Sequence, residues 1–593
     1  MNDIKVISGL NKRYLSEIPE FHNGLPFGII NKKLTDVGGT YCAINCKSNY
    51  IVVVPFRDLA TSIEIDKNNK YPVFKLYGGV LKTSFKKYML NNDIKKIVVT
   101  YDSLEKLINW LGDDYIDYKV LIDEYHLILE DLDFRDDAIN KLLDLVVKFN
   151  HYSFLSATPI NTDFEFDFLK ALPHYEIDWG KLSQINPFKI KTPNVYKAVV
   201  ALINEFKSGL NLDTINGNIE QVKELHIFIN SVEGITQICK TANLKNNEVR
   251  IICADKLKNS LLLNTYSIST ITDPNAKINF YTKKGFQGCN IFSSNALTIV
   301  VSDAKKAHTL VDIETTLVQI VGRIRLSENS QNVFRHKIYH IYSTNSNLKN
   351  DEDFDDFIAT KRTESKLLYE DLLNKTEDIR KLYIKRMNFE SDFLSIVDDN
   401  VLFNERKEQL FRYKFELKKS YKDGLSIRDK YIHSDKFLDS KQNYSSFDEI
   451  VLTKITTIKL EDLYNTFLES SDTDLYQLEY PEFFDYKKYL TVKEMSSLRW
   501  NKEKINKLVS DKKLINKVHN EMYKLLPNGF ISRSELKDMY KRLFEKNKIQ
   551  IAAKATMIED NIFLTVKNTK KNINGVKTDG YEITKNKLIL NLN

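Results

Sequence analysis

YKVLIDEYH, residues 118–126, is the stretch on which the reading of this chain turns. The apolar run Val120, Leu121 and Ile122 ends in two carboxylates, Asp123 and Glu124, with Tyr125 and His126 behind them. Such a run without alternation predicts a buried strand of a parallel sheet, whose C-terminal end delivers side chains into the crevice where open α/β sheets bind ligands. Of two acids placed there, one can hold a hydrated Mg²⁺ and the other can orient or deprotonate a water. This is a Walker B arrangement, and it predicts an α/β fold.

Further along, residues 152–159, YSFLSATP, give a second apolar strand that ends in Ser156, Ala157 and Thr158, and residues 319–325 read QIVGRIR. In this order the three stretches resemble motifs II (DExH), III (SAT) and VI (QxxGRxR) of superfamily 2 helicases. The resemblance implies two tandem RecA-like domains, each a parallel sheet flanked by helices, followed by a mostly helical region and a small basic C-terminal winged-helix-like domain. The expected boundaries are 1–190, 191–345, 346–490 and 491–593, with the linker between the RecA-like domains near residues 189–195. ATP and Mg²⁺ are the implied ligands. Asp123 and Thr40 would take the metal, and Glu124 would activate the attacking water. Gln319, Arg323 and Arg325 would complete the site from the second domain. His126, Ser156 and Thr158 would couple the state of the γ-phosphate to cleft closure. Gln319, Gly322 and Arg323 share one face of a helix expected to begin near Ile313.

A phosphate-cradling loop should lie within residues 25–44, LPFGIINKKLTDVGGTYCAI. The usual version, GxGKT, wraps the phosphates in backbone N–H groups and sets a lysine on the β and γ charges. Here Gly38 and Thr40 fit, but Gly39 stands in the lysine's place and Asp36 in the first glycine's, with Thr35 just before it. Losing the lysine removes a charge-assisted contact, and an inward-pointing Asp36 would repel the nucleotide. Two explanations stand. Either Lys32 or Lys33 reaches back to supply the missing cation, or the chain binds nucleotide weakly and hydrolyses it slowly or not at all. A loop of this kind resembles those of helicase-like proteins of certain bacteriophages.

Other stretches fit the same resemblance. Residues 50–60, YIVVVPFRDLA, look like motif Ia, which would set Pro55 and Arg57 against a nucleic-acid backbone. Residues 97–104, IVVTYDSL, offer Thr100 and Ser103 as further phosphate contacts. Residues 225–231, LHIFINS, resemble motif IV and end in Ser231, also a nucleic-acid contact. Residues 281–304 resemble motif V through Thr282, Gly285, Gly288 and Asn290, with Thr282 toward the strand and Gly288 toward the nucleotide. Asn290 stands where that motif has an acid.

The net charge of +7 is unevenly spread: residues 491–593 carry 22 Lys and Arg against 11 Asp and Glu, so that tail holds +11 and the rest of the chain −4. A local surplus of this size suits a polyanion-binding module, although lysine-rich solvated helices look alike. Helices are expected over 501–508, 514–525 and 532–544, the last opened by Ser532 with Glu535 three residues on. Two short strands around a turn at Asn574-Gly575 would follow. Lys567, Lys570, Lys571 and Lys577 would line a DNA-binding wing, and a solvated hairpin fits the same pattern.

No apolar run approaches the length of a membrane span, and the first residues, MNDIKVISGLNKRY, have no apolar core behind their charges. A cytoplasmic chain without a membrane partner is expected. Its five cysteines read as buried free thiols, since Cys42 and Cys46 have no second Cys/His pair with which to bind zinc. The expected partners are nucleic acid, DNA ahead of RNA, and replication or recombination proteins. An RNA helicase and a non-hydrolysing nucleic-acid-binding protein of the same fold are the alternatives.

Overall fold

Two runs, Tyr50–Val54 and Lys96–Thr100, are buried at every position, as strands covered by helices on both faces must be. In the computed structural model they lie side by side within an eight-stranded sheet. The structure describes residues 4–585 except 134, 215, 287–288, 326–331, 348–350, 378, 381–391, 398–399, 441, 455–457, 471–475, 478, 548, 550–551, 562 and 574–575.

The strands of the first sheet are β1 (Lys5–Ser8), β2 (Gly28–Asn31), β3 (Tyr50–Val54), β4 (Val73–Leu76), β5 (Lys96–Thr100), β6 (Lys119–Asp123), β7 (His151–Ser156) and β8 (His174–Asp178). Their order is β1-β8-β2-β7-β6-β3-β5-β4, with every neighbouring pair parallel. Alternate side chains feed two cores: Ile51, Val53, Ile97, Val120 and Ile122 on one face, Val52, Val54, Val98, Leu121 and Leu155 on the other. Lys96 is buried within this sheet, and its ammonium is satisfied by the carbonyls of Ala43 at 2.8 Å and Ser48 at 2.7 Å.

A second sheet holds β9 (Asn186–Lys191), β12 (Glu224–Phe228), β13 (Val249–Ile252), β14 (Ile278–Tyr281), β15 (Ala296–Ser302), β16 (Lys337–Tyr342) and β19 (Gln442–Tyr444); the hairpins β10 (Asn211–Asp213)/β11 (Ile219–Gln221) and β17 (Leu394–Val397)/β18 (Asn400–Phe403) stand apart from it. Its order is β13-β14-β12-β15-β16-β9-β19, again parallel throughout. The two sheets are the tandem RecA-like pair. Because β9 hydrogen-bonds to β16, the chain enters the second sheet by Asn186, before the linker expected near 189–195. The helix expected to carry Gln319, Gly322 and Arg323 runs only Thr316–Val321, so Gly322 caps it and Arg323 lies beyond it; it begins later than Ile313 because Asp312 accepts from the amides of Glu314 and Thr315 and holds them in a turn.

By contacts the chain forms two compact units, Met1–Asp255 with Leu262–Ile455, and Lys256–Leu261 with Thr456–Asn593. The expected helical region 346–490 is therefore divided. Its first part braces the RecA-like pair. On the helix Lys407–Ser420, Leu410 enters the core of the first sheet and the Tyr413 ring meets Phe164 edge-on at 5.7 Å. At the far end, the Tyr421 hydroxyl donates to the Val311 carbonyl at 2.6 Å, and Tyr431 hydrogen-bonds His340 Nδ1 at 2.8 Å in the second sheet.

The second part, from Thr456, shares a core with the C-terminal residues: Leu463, Tyr464, Phe467, Phe483 and Tyr486 pack with Ile505 and Val509. There a single helix, Lys502–Leu525, replaces the two expected, its buried Val509, Val518 and Met522 continuing through the join. Beyond it come β20 (Gly529–Ser532), the helix Arg533–Lys546 with the expected Ser532–Glu535 capping box, a 3₁₀ turn Ala555–Asp560, and the hairpin β21 (Leu564–Ile573)/β22 (Val576–Lys585). The antiparallel order β20-β22-β21 is winged-helix-like. The expected turn at Asn574-Gly575 lies outside the described residues. All five cysteines are buried and free. Among the described residues no helix is long and apolar enough to cross a membrane.

Burial at the anchor of the brace pushes His340 down to about 3 from 6.5. The folded chain keeps the imidazole neutral while the unfolded chain protonates it, so this contribution is intact above 6.5 and is lost as pH falls toward 3, by about 1.4 kcal/mol per pH unit. His340→Gln should therefore flatten the acid limb of the stability profile between about pH 4 and 6.5, as read by thermal unfolding; an unchanged slope would contradict it.

Candidate functional site

Strands β2, β7 and β6 are neighbours in one parallel sheet, so the residues at and just after their C-terminal ends converge at a single edge. Asp123 ends β6. Its Oδ2 accepts the Thr40 hydroxyl at 2.6 Å and its Oδ1 accepts the Glu124 amide at 3.0 Å. Burial pushes the Asp123 carboxyl up. Glu124 has φ 51°, a left-handed conformation that costs a non-glycine residue about 1–3 kcal/mol. That turn aims its carboxylate at Lys32 Nζ (3.7 Å), Gln319 Nε2 (3.4 Å) and His126 Nδ1 (3.4 Å). Burial alone would raise the Glu124 carboxyl, but Lys32, His126, Arg323 and Arg325 together hold it below its ordinary value.

Burial lowers His126, outweighing the upward pull of Glu124 and Glu130. Its Nδ1 lies 2.8 Å from Ser156 Oγ, and that hydroxyl accepts the Thr158 amide at 2.9 Å. Thr158 Oγ1 in turn accepts from Gln319 Nε2 at 2.9 Å. His126, Ser156 and Thr158 thus form one chain of polar contacts between Glu124 and the second domain.

The loop after β2 separates its two lysines. Lys32 is buried against Glu124, whereas Lys33 has φ 53° and turns outward to Glu176, 2.5 Å away. Thr35 packs against Gly322 of the second domain so closely that a Cβ there would meet Thr35 Oγ1 at 2.4 Å. Asp36 is half exposed, faces Arg325 Nη1 at 3.8 Å and lines the same cavity as Gly38, Gly39 and Thr40. Gly38, at φ 81°, turns the chain into the helix Gly39–Asn45. A Cβ on Gly39 would come within 2.3 Å of Leu155 Cδ2, in the core of β7. The absent lysine is a matter of space.

From the second domain, Gln319 sits on the helix Thr316–Val321 and receives Arg323: Nε donates to the Gln319 carbonyl at 2.9 Å and Nη2 to its Oε1 at 3.0 Å. Arg325 Nε donates to Asn290 Oδ1 at 2.9 Å, so the residue in the place of an acid still orients an arginine. Lys32, Thr35, Gly38, Gly39, Thr40, both acids, Asn290, Arg323 and Arg325 line one cavity of 240 Å³. Gly288 lies outside the described residues. A carboxylate and a hydroxyl 2.6 Å apart suit Mg²⁺, which is commonly held by one or two protein oxygens plus substrate phosphates. Among the described residues no three His, Cys, Asp or Glu side chains cluster to cage a metal.

A second cavity, of 710 Å³, runs past Pro55, Arg57, Thr100, Ser103, Lys106, Arg135 and Lys284. Thr100 is buried and donates its hydroxyl to Ser103 Oγ at 3.1 Å. Ser231 and Thr282 serve the backbone instead of facing outward: Ser231 caps the helix Val232–Thr241 through the Gly234 amide at 3.0 Å, and Thr282 donates to the Ile252 carbonyl at 3.3 Å. In the C-terminal unit Lys567 and Lys577 are exposed, while Lys570 pairs with Asp579 at 3.1 Å and Lys571 with Glu582 at 2.9 Å. Residues that the sequence does not single out, Tyr101, Glu130, Arg135 and Lys283, join these two cavities; their partners are distant in the chain and leave no local pattern.

No protein-family model and no curated protein matches this sequence. Among solved structures it is similar to Mycobacterium smegmatis helicase Lhr bound to ssDNA and AMP-PNP (12% identity, 54% of this chain and 44% of that one, TM-score 0.33). It is also similar to Mss116p bound to ssRNA and AMP-PNP (13%, 67% and 83%, TM-score 0.33) and to Dbp5 of S. cerevisiae bound to RNA and ADP BeF3 (12%, 57% and 84%, TM-score 0.35). The matched part spans less than half of the Lhr chain. No conclusion about substrate or activity rests on scores this low.

Glycine-to-alanine at the start of a helix ordinarily stabilises by up to about 1 kcal/mol. At Gly39 the contact with Leu155 reverses the sign: Gly39→Ala should cost about 1–3 kcal/mol, and Leu155→Ala should recover part of that, a non-additivity measurable by thermal denaturation. A stabilised Gly39→Ala would refute the packing explanation.

Proposed function

We propose that this chain is an ATP-dependent nucleic-acid helicase or translocase of the DExH kind, with Lys32 in the role of the missing loop lysine. The carrying observation is the convergence of Lys32, Thr40, Asp123 and Glu124 from one RecA-like domain with Gln319, Arg323 and Arg325 from the other, around one cavity. DNA is the first substrate to test, in keeping with the resemblance of the loop to phage helicase-like proteins and with a role in replication or recombination in a host cytoplasm; an RNA substrate would use the same residues.

In this reading Asp123, with Thr40 beside it, holds the Mg²⁺ that supplies charge neutralisation at the phosphate oxygens. Lys32 lies on the same side of Glu124 as the loop and meets the terminal phosphates. Glu124, kept ionised by its cationic neighbours, orients and deprotonates the water. Gln319 fixes the Glu124 carboxylate, and Arg323 and Arg325 stabilise the charge that develops on the transferred group. Thr158, Ser156 and His126 transmit the position of Gln319 to the acids. The groove through Pro55, Arg57 and Thr100 carries the strand, with Ser231 and Thr282 shaping its second wall through the backbone. Lys567, and the paired Lys570 and Lys571, add phosphate contacts from the C-terminal unit. The proposed divisions 1–190, 191–345, 346–490 and 491–593 are kept with two changes: the first boundary moves to the start of β9, and the residues from Thr456 join the C-terminal division.

One observation favours a second reading, a nucleic-acid-binding protein that does not hydrolyse ATP: the Asp36 carboxylate occupies Arg325 at 3.8 Å. Steady-state ATP turnover with single-stranded DNA separates the two. Lys32→Ala should cut kcat/KM by about 10- to 100-fold, the worth of one charged hydrogen bond, and Lys33→Ala should leave it near the parent's. Glu124→Gln should lower kcat by about 10²- to 10⁴-fold. Turnover unaffected by Glu124→Gln would sink the mechanism, and no turnover in the parent with DNA binding intact would favour the second reading.

A further inference from the structure

The two cavities are joined by a network of charges that starts from Asp102 and Arg135 in the lining of the groove. Arg135 stands at the groove. Its Nη1 donates to the Pro55 carbonyl at 3.1 Å and its Nη2 pairs with Asp102. The same guanidinium reaches inward to Asp131 Oδ2 at 3.1 Å, and Asp131 is fully buried. Across the seam, Lys283 of the second domain places Nζ 3.6 Å from Asp131 Oδ1 and 3.0 Å from Glu130 Oε2. Glu130 Oε1 then accepts the Thr316 hydroxyl at 3.2 Å, at the first residue of the helix that carries Gln319.

A branch leads from the same arginine to the acids. The Arg135 guanidinium lies 5.6 Å from the Tyr101 ring centre, and the Tyr101 hydroxyl donates to the carbonyls of Asp123 at 2.9 Å and Glu124 at 3.3 Å. Both the left-handed turn of Glu124 and the register of the Gln319 helix therefore rest on groups that touch the groove. Burial opposes the charge on Lys283, yet Glu130 and Asp131 hold its ammonium above the ordinary value, and Glu130 is held below its own by Lys283 and His126 despite burial. Burial raises the Asp131 carboxyl, against the pull of Lys283 and Arg135, and the network has two domains as its ends.

We infer that Lys283 is a positioning residue that, through Glu130 and Asp131, makes occupation of the groove set the Gln319 helix against Glu124. Nucleic acid drawn against the loops of Pro55 and Asp102 fixes Arg135, Arg135 fixes Asp131, and the two acids then hold Lys283 and Thr316 in the closed register. The inference rests on the proposed ATPase reading, and it names the route by which a strand stimulates turnover.

The test uses the full chain, with ATP turnover measured alone and with oligo(dT) or poly(U), and oligonucleotide affinity followed by fluorescence anisotropy. The wild type should be stimulated by about 5- to 150-fold, the usual size of coupling between sites. In Lys283→Met the stimulation should fall to about twofold or less, with unstimulated turnover, the KM for ATP and oligonucleotide affinity kept. Lys283→Arg should restore it. Lys283→Met with Glu130→Gln leaves no extra unpaired carboxylate in the seam and guards against misfolding; it should be uncoupled as well. Wild-type stimulation in that double variant, or a parallel fall in unstimulated turnover, overturns the positioning role. If the wild type hydrolyses no ATP, the ATPase reading fails by itself. The variants are then judged by the effect of oligo(dT) on AMP-PNP affinity: loss in Lys283→Met alone supports the inference, and equal effects, nil included, overturn it.

Discussion

Two carboxylates at the end of a buried strand cannot stand alone. Ionised groups removed from water demand partners in proportion to their burial, and Glu124 directly follows Asp123, the last residue of β6. The molecule meets the demand asymmetrically: Asp123 is left with a hydroxyl and an amide and is pushed toward protonation, while Glu124 collects a lysine, a glutamine and the field of two arginines. Half of those partners come from the second sheet. A chain that buries this pair is obliged to bring its second domain against the first, and the site and the closed cleft are one electrostatic solution.

The brace of residues 346–455 makes that closure less costly in entropy. Leu410 and Tyr413 engage the first sheet and Tyr421 and Tyr431 the second, so one helical hairpin fixes the relation of both domains outside the cleft. Strand β19 extends the second sheet beyond β9 and secures the far end of the brace.

Much of this was legible in the sequence, and the limits are physical. Strands such as β3, β5 and β6 are continuous apolar runs because both faces are covered. By contrast, β1 lies at the sheet edge with one of its four residues buried, and β19 is three polar residues whose only reason to be extended is a partner some 250 positions earlier in the chain. The acids, the Ser156–Thr158 turn and the QIVGRIR arginines could be placed because each motif is local. Which lysine enters the site could not, since Lys32 and Lys33 differ only by one step of backbone and a left-handed φ. Ser231 and Thr282 were expected as phosphate contacts and instead satisfy backbone groups, a choice that depends on how the neighbouring helix and strand end. Lys283 and Glu130 pair across more than 150 residues, and no periodicity reports such a contact.

The close approach of Leu155 to Gly39 also bears on how such a loop can change over generations. With a bulky residue at 155, a side chain at 39 has no room; with Gly39 in place, the lysine beside Glu124 is the one at position 32. Passage between this arrangement and the usual one therefore cannot proceed by exchanging the lysine alone, because an intermediate carrying both side chains is crowded. The order of substitutions is constrained to begin in the core, at Leu155. A packing contact between a strand and a loop thus entrenches a binding-site residue that it never touches.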